Sequence, residues 1–123
     1  MKRDMDLVRS ILLEVEAAQR PLRIAELQTD GHSLPEVVYH VEIMRERGLI
    51  DASILRGKGG VLLRAEVSGL TWDGQDYLDA TRDERVWDKA RDAIARTVGS
   101  CTFETMKAVC VKAATDMAIN GLQ

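Results

Sequence analysis

The hydrophobic pattern of the N-terminal segment is that of one amphipathic helix. Asp4 stands where an N-cap is expected, and Pro21 is placed to end the helix. The stretch PLRIAELQTDGHS that follows has a mixed period, and we expect a short strand or an irregular turn there. In the predicted helix the apolar positions recur at steps of three and four along one face: Met5, Val8, Ile11, Leu12 and Val15.

A second helix is predicted to begin around Ser33 and to end at Gly48. Pro35 is tolerated in the first turn of a helix, and Glu36 follows Ser33 at the spacing of a capping box. These signals at both ends define a helix of ordinary length.

The period then changes to that of strands. Two stretches rich in apolar and β-branched residues flank the sequence GKGG, whose glycines can supply the positive φ that a tight turn needs. We therefore predict a β-hairpin with Arg56 and Lys58 at its tip and Arg64 on the returning strand.

The pattern after the hairpin predicts three further helices. Thr71 is placed to cap WDGQDYLDAT, and Asp83 to cap ERVWDKARDAIARTV, which Gly99 ends. We expect Trp72 and Trp87 in the core of this region. The last segment carries a seam that fits either a core-facing helix or a homodimeric coiled coil: Phe103, Met106, Cys110, Ala113 and Met117.

Length and composition favour one compact domain. The chain has 123 residues, of which 46% are hydrophobic and 30% charged, a balance that supports a buried core. We expect residues 1–71 to form this core with its hairpin, and residues 72–123 to pack on it or to form a dimer interface. No apolar run approaches the roughly 20 residues that cross a bilayer, and the N-terminus offers no signal-peptide pattern, so we expect a cytoplasmic protein.

The order of these elements resembles that of winged helix-turn-helix proteins. In LTWDGQDYL, the residues Leu70, Thr71, Gly74 and Leu78 resemble the stretch that follows the wing in PadR-like proteins. The resemblance implies an α+β fold with an N-terminal helix, a recognition-like helix, a hairpin wing and a C-terminal helical extension. The stretch VVYHVEIMRERGLI resembles the recognition-helix signature of ArsR-like and MarR-like repressors at Val37, His40, Val41, Met44, Gly48, Leu49 and Ile50.

Four longer stretches resemble the YjcQ-like family of small phage and prophage proteins: MKRDMDLVRSILLEVE, YHVEIMRERGLI, LTWDGQDYLDATRDERVWDKAR and FETMKAVCVKAA. This resemblance implies a winged-helix fold and a phage or prophage setting within a bacterial host. The activity of that family is unassigned, so the resemblance implies no mechanism.

The charges leave duplex DNA open as a partner. A net charge of -3 and a pI near 5.4 do not favour phosphate binding by the chain as a whole. Arg56, Lys58 and Arg64 nevertheless form a local positive patch on the predicted wing. Together with Tyr39 and His40 on the second helix, they make up the predicted DNA-contacting set.

The outer face of the second helix favours a protein partner instead. On a helical wheel, Tyr39, Glu42, Ile43 and Glu46 lie on or beside the side opposite the apolar stripe. Carboxylates repel phosphate, and an exposed tyrosine beside an isoleucine is a typical interface anchor. Our leading hypothesis is a small DNA-binding regulatory or accessory protein. The alternative is a protein-interaction module, such as an antirepressor, an anti-defence inhibitor or an assembly partner.

The sequence shows no pattern of an enzyme, a metal site or a cofactor site. His32 and His40 lack companions at metal-ligand spacing, and His40 fits a packed structural histidine. GKGG lacks the spacing of a phosphate-binding loop. We therefore expect no catalytic residue, no metal and no cofactor.

Overall fold

The computed structural model describes residues 1–29, 31–97 and 102–121. The described chain has an α+β fold, as predicted, with five α-helices and one three-stranded antiparallel sheet. Short 3-10 helices lie at Ile24–Glu26 and Lys58–Gly60. The helices are α1 (Met5–Ala17), α2 (Leu34–Arg47), α3 (Trp72–Thr81), α4 (Glu84–Thr97) and α5 (Phe103–Gly121), and the strands are β1 (Leu22–Arg23), β2 (Ile50–Arg56) and β3 (Leu62–Leu70).

The chain divides into two compact units, residues 1–75 and 76–123. The first unit contains α1, α2 and the sheet, and the second contains α4, α5 and most of α3. Whether the two units form a single compact domain stays a prediction.

Every helix start that the sequence predicted from a capping residue is confirmed. The Asp4 side chain accepts hydrogen bonds from the backbone N–H groups of Asp6 and Leu7, which have no partner within α1. Ser33 and Glu36 form the predicted capping box at the start of α2. Gly48 ends that helix with a φ of 81°, a conformation that glycine adopts without steric cost.

Asp83 caps α4 and stays ionised down to strongly acidic pH. Its carboxylate accepts from the Arg85 side chain and from the backbone N–H groups of Val86 and Arg85, which together lower its pKa to about 2. Because the pKa is lowered, this cap contributes at neutral pH and is lost as the pH falls through about 2. The predicted end of the helix at Gly99 lies outside the described residues.

The sheet has the order β1-β3-β2. The β2–β3 hairpin is the predicted one, and Gly59 and Gly60 at its tip have φ values of 70° and 78°. The short strand predicted before α2 is confirmed as the two-residue β1, which leads directly into a 3-10 helix that the sequence did not predict. In the described chain β1 pairs with Val67 and Glu66 of β3 alone. Residues 62–65 of β3 therefore have a strand neighbour on the β2 side but not on the β1 side.

The junction between β3 and α3 is tied to the end of α2. The Thr71 backbone N–H donates to the Leu49 carbonyl at 3.1 Å, and its hydroxyl donates to the Gly48 carbonyl. The same hydroxyl accepts from the Gly74 N–H at 3.0 Å, which confirms Thr71 as the cap of α3. A Cβ at Gly74 would lie 1.9 Å from the Leu49 carbonyl oxygen, so this contact requires glycine.

The second unit is held by apolar contacts of α3, α4 and α5. Trp87 is buried, as predicted, with 3% of its surface exposed. Tyr77 stacks on Phe103 with ring centroids 4.3 Å apart. The predicted core position of Trp87 is therefore confirmed.

Trp72 corrects the sequence-based expectation that it lies in the core. Its side chain is 83% exposed. The buried positions of α3 are Gly74, Tyr77, Leu78 and Thr81, which follow one helical stripe. Trp72 precedes Gly74 by two residues and so points away from that stripe.

Replacing Gly74 with alanine should lower the free energy of unfolding by about 2 kcal/mol, because the new methyl group meets the Leu49 backbone and forces the junction apart. Urea denaturation measures the change. Gly69→Ala is the matched control, since a Cβ at Gly69 meets no atom within 4 Å. Its effect should stay within about 0.5 kcal/mol. Equal stabilities of the two variants would contradict the close contact at Gly74.

Candidate nucleic-acid interface

Helix α2 presents one face to the core and one to solvent. Val37, Val41 and Met44 are buried, as the apolar spacing predicted. The solvent side carries Tyr39, Ile43 and three carboxylates, and it is followed by two arginines near the C-terminal end. The chemistry of this side decides what the helix can contact.

His40 is part of the core and is not available for DNA contact, which corrects its place in the predicted DNA-contacting set. Only 1% of the surface of His40 is exposed to solvent. The Nε2 atom accepts from the Asp4 backbone N–H at 2.8 Å, and Nδ1 lies 2.7 Å from the Glu36 carbonyl oxygen. This pair of contacts assigns the proton to Nδ1. His40 therefore joins α2 to the start of α1, the structural role that its spacing also allowed.

Two of the three carboxylates on the outer side of α2 are engaged within the chain. Glu36 lies beside the His32 ring at 3.1 Å, and this hydrogen bond, followed by one from the Ser33 N–H, lowers the pKa of Glu36. Glu42 forms an ion pair with Arg56 of the hairpin. Glu46 is exposed. The Arg56 guanidinium thus offsets the charge of Glu42, whereas the lowered pKa keeps Glu36 ionised.

Tyr39 and Ile43 are both half-buried. The Tyr39 ring meets the His40 ring edge-on, with centroids 5.4 Å apart. Either side chain can reach a partner with part of its surface, although neither projects freely.

The three predicted hairpin cations have different surroundings. Arg56 is held by Glu42 and also donates from Nη1 to the Gly60 carbonyl at 3.2 Å. Arg64 pairs with Glu66 on its own strand at 3.1 Å. Lys58 is exposed at the tip, and within the described chain it has no ion pair.

Arg45 adds a cation that the sequence reasoning left aside. It lies exposed in the last turn of α2, and no described residue forms an ion pair with it. Its position in the sequence did not separate it from Arg47, because both fall near the same end of the helix. Lys58 on the hairpin and Arg45 on α2 therefore each present a charge that no described carboxylate offsets.

A groove of about 490 Å³ lies beside the hairpin. Leu34 and Leu63, which border it, are 53% and 62% exposed. The sequence reasoning missed this feature, since it placed the leucines of the hairpin on strands without distinguishing buried from exposed ones. The lining comprises Arg23–Ala25, Leu34 and Leu62–Glu66.

The predicted seam of α5 is used largely within the second unit. Phe103, Met106 and Cys110 are buried, which confirms the core-facing interpretation for them and removes them from a homodimer interface. The physical reason is that α5 packs along α4, while Phe103 stacks on Tyr77. Ala113 and Met117 are half-buried.

Residues 1–29, 31–97 and 102–121 contain neither a candidate metal site nor a candidate membrane span. No group of three or more histidine, cysteine or carboxylate side chains in these ranges could hold a metal ion. None of the described helices is long and apolar enough to span a membrane.

Comparisons with known proteins identify relatives of this chain. A family model described as "Hypothetical protein (DUF2513)" matches residues 2–100. An "Uncharacterized protein" of Haemophilus influenzae is 33% identical over 112 residues, which cover 89% of this chain and 92% of the relative. Neither description speaks of a phage or of YjcQ-like proteins, so that part of the resemblance stays a prediction.

One solved structure is also similar. It is the crystal structure of a Thermoplasma acidophilum protein described as a "putative transcriptional regulator", with 22% sequence identity and a TM-score of 0.49. The likeness covers 80% of this chain and 95% of the other. Similarity at this level does not establish a shared fold or function.

Replacing His40 with alanine should lower the free energy of unfolding by about 2 to 4 kcal/mol, because it opens a cavity and leaves the Asp4 N–H without its acceptor. Thermal and urea denaturation measure the loss. His32→Ala is the matched control, since the half-buried His32 ring lies beside the Asp4 and Glu36 carboxylates, and contacts of this kind contribute at most about 1 kcal/mol. A loss at His32 as large as that at His40 would contradict the role assigned to His40.

Proposed function

This chain belongs to the DUF2513 family, and we propose that it is a winged helix-turn-helix protein that binds duplex DNA as a small regulatory or accessory factor. The order of its elements supports this proposal. Helix α1, β1, a 3-10 helix, α2 and the β2–β3 hairpin follow one another, and β3 lies between the other two strands. In this interpretation α2 is the recognition-like helix and the hairpin is the wing.

The observation that carries the proposal is the placement of two cations that form no ion pair with a described carboxylate. Arg45 lies on α2 and Lys58 at the tip of the hairpin, which are the two elements that a winged fold brings to a duplex. Both side chains suit phosphate oxygens, which position a protein on DNA without reading its sequence. Arg64, whose guanidinium side chain is 64% exposed beside Glu66, is a further phosphate contact in this proposal.

We expect α2 to discriminate only weakly between DNA base sequences. Its outer side offers Tyr39, Ile43 and Glu46, whereas base edges in the major groove are read mostly by arginine, lysine and amide side chains. We therefore propose binding that depends strongly on salt and modestly on sequence. A phage or prophage origin, a cytoplasmic location and the absence of catalysis are parts of the proposal that rest on the sequence. A homodimer remains an alternative that the sequence left open.

Replacing Lys58 with alanine should weaken binding to all duplexes about equally and flatten the dependence of log K on log salt by about one unit, because one phosphate contact is lost. Fluorescence anisotropy with a labelled random-sequence duplex and with the DNA upstream of the gene, each at several salt concentrations, measures both quantities. Lys89→Ala is the matched control, since it removes the same exposed side chain from α4.

An unchanged salt slope in Lys58→Ala would remove the hairpin tip from the interface. Absence of binding by the wild-type chain even at low salt would overturn the proposed function.

The groove beside the hairpin favours a second candidate, a protein-interaction module. An apolar side chain gains little from facing phosphate, yet Leu34 and Leu63 are both more than half exposed at this groove. In this alternative a segment of a host or phage protein covers the two leucines. The face of Tyr39, Glu42, Ile43 and Glu46 remains the alternative interface expected from the sequence, with Glu42 held by Arg56.

If the groove is a docking surface, peptides selected from a random display library on the wild-type chain should bind Leu63→Ser about tenfold more weakly, because burial of a leucine is worth about 1.5 to 3 kcal/mol. Isothermal titration with synthetic copies measures this. Leu55→Ser is the matched control, since Leu55 is 54% exposed on the same hairpin but does not line the groove. Equal binding to both variants would contradict docking in the groove.

A further inference from the structure

We propose that Glu42 limits the DNA affinity of this protein by occupying Arg56, a hairpin cation that its ion pair joins to α2. This inference rests on the proposed DNA-binding function and adds a residue that opposes it. Glu42 and Arg56 are 14 residues apart, and their ion pair joins the middle of α2 to the end of β2.

The pair is built so that the cation is held but still accessible. Arg56 uses Nη2 for the Glu42 carboxylate and Nη1 for the Gly60 carbonyl. The side chains of Arg56 and Glu42 are 44% and 34% exposed, so a phosphate can approach the guanidinium from solvent. Arg56 therefore has two alternative anions within reach, the carboxylate of its own chain and a phosphate of the duplex.

The exchange between these anions determines the cost of binding. A solvent-exposed ion pair contributes little to stability, whereas an arginine can bind phosphate through two parallel hydrogen bonds. Phosphate must therefore compete with Glu42 for Arg56. A displaced carboxylate would stand next to the phosphate chain and repel it, and this cost keeps Arg56 paired with Glu42 in the wild-type complex.

Glu46 shows what is particular to Glu42. It lies one helical turn further along α2, it is exposed, and no described residue pairs with it. Removing its charge changes the field around α2 but releases no guanidinium. Comparing variants of the two glutamates therefore separates the general effect of negative charge on DNA affinity from the specific effect of occupying Arg56.

The test compares Glu42→Gln with Glu46→Gln by fluorescence anisotropy on a labelled random-sequence duplex over a salt series. Glu42→Gln should bind at least fivefold more tightly than the wild type at low salt, with a salt slope steeper by about one unit, because Arg56 becomes a phosphate contact. Glu46→Gln should show a smaller gain and an unchanged slope.

A double-mutant cycle identifies the cation that is released. When Arg56→Gln is already present, the gain from Glu42→Gln should fall to the size of the Glu46→Gln gain, since no guanidinium is then available. Amide hydrogen exchange at Gly57 and Gly60, whose N–H groups bond within the hairpin tip, verifies that the tip retains its fold in each variant.

The outcomes separate the two proposals. If the wild type binds the duplex but Glu42→Gln binds no better than Glu46→Gln, or more weakly than the wild type, the role of Glu42 is overturned while the proposed function stands. If the gain from Glu42→Gln is as large in the Arg56→Gln background as in the wild type, the assignment to Arg56 is overturned. If neither the wild type nor Glu42→Gln binds at low salt, both proposals are overturned.

Discussion

The first unit depends on the contact of Thr71 and Gly74 with the backbone at Gly48 and Leu49. The last carbonyls of a helix have no partner within the helix, and here two carbonyls just past α2 accept from the backbone and the hydroxyl of Thr71. Because Ile50 pairs with Leu70 immediately beside this contact, the junction also fixes the register in which the hairpin begins. One small region thus sets the end of α2, the base of the hairpin and the start of α3.

Much of the fold was predictable because its signals are local. The caps at Asp4, Ser33, Thr71 and Asp83 act within three residues of chain, so the spacing of residue types is sufficient to find them. The hairpin followed in the same way from glycines between two strand-like stretches. Trp72 was wrongly predicted to be buried. The residue type and its spacing suggested the buried stripe of α3, but they do not show at which residue that stripe begins. Here the close contact at Gly74 determines where it begins.

The candidate interface was less predictable because its charges are decided by contacts distant in the sequence. Arg56 and Glu42 belong to different elements, and no short-range pattern announces that they pair. His40 likewise has its partner 36 residues away at Asp4, so its burial could be anticipated but its function as an acceptor could not. A count of exposed cations from the sequence therefore overestimates the positive charge that the hairpin presents.

The shortness of β1 has a consequence for self-association. The described β3 edge at residues 62–65 carries backbone hydrogen-bonding groups without a strand beside them on the β1 side, and such an edge is a template for a strand from another molecule. Arg64 and the irregular register near Leu55 and Arg56 work against a long, flat pairing there. Leu63 of the groove lies on this edge, so the hairpin combines the proposed recognition surface with a strand edge that is open to pairing with another molecule.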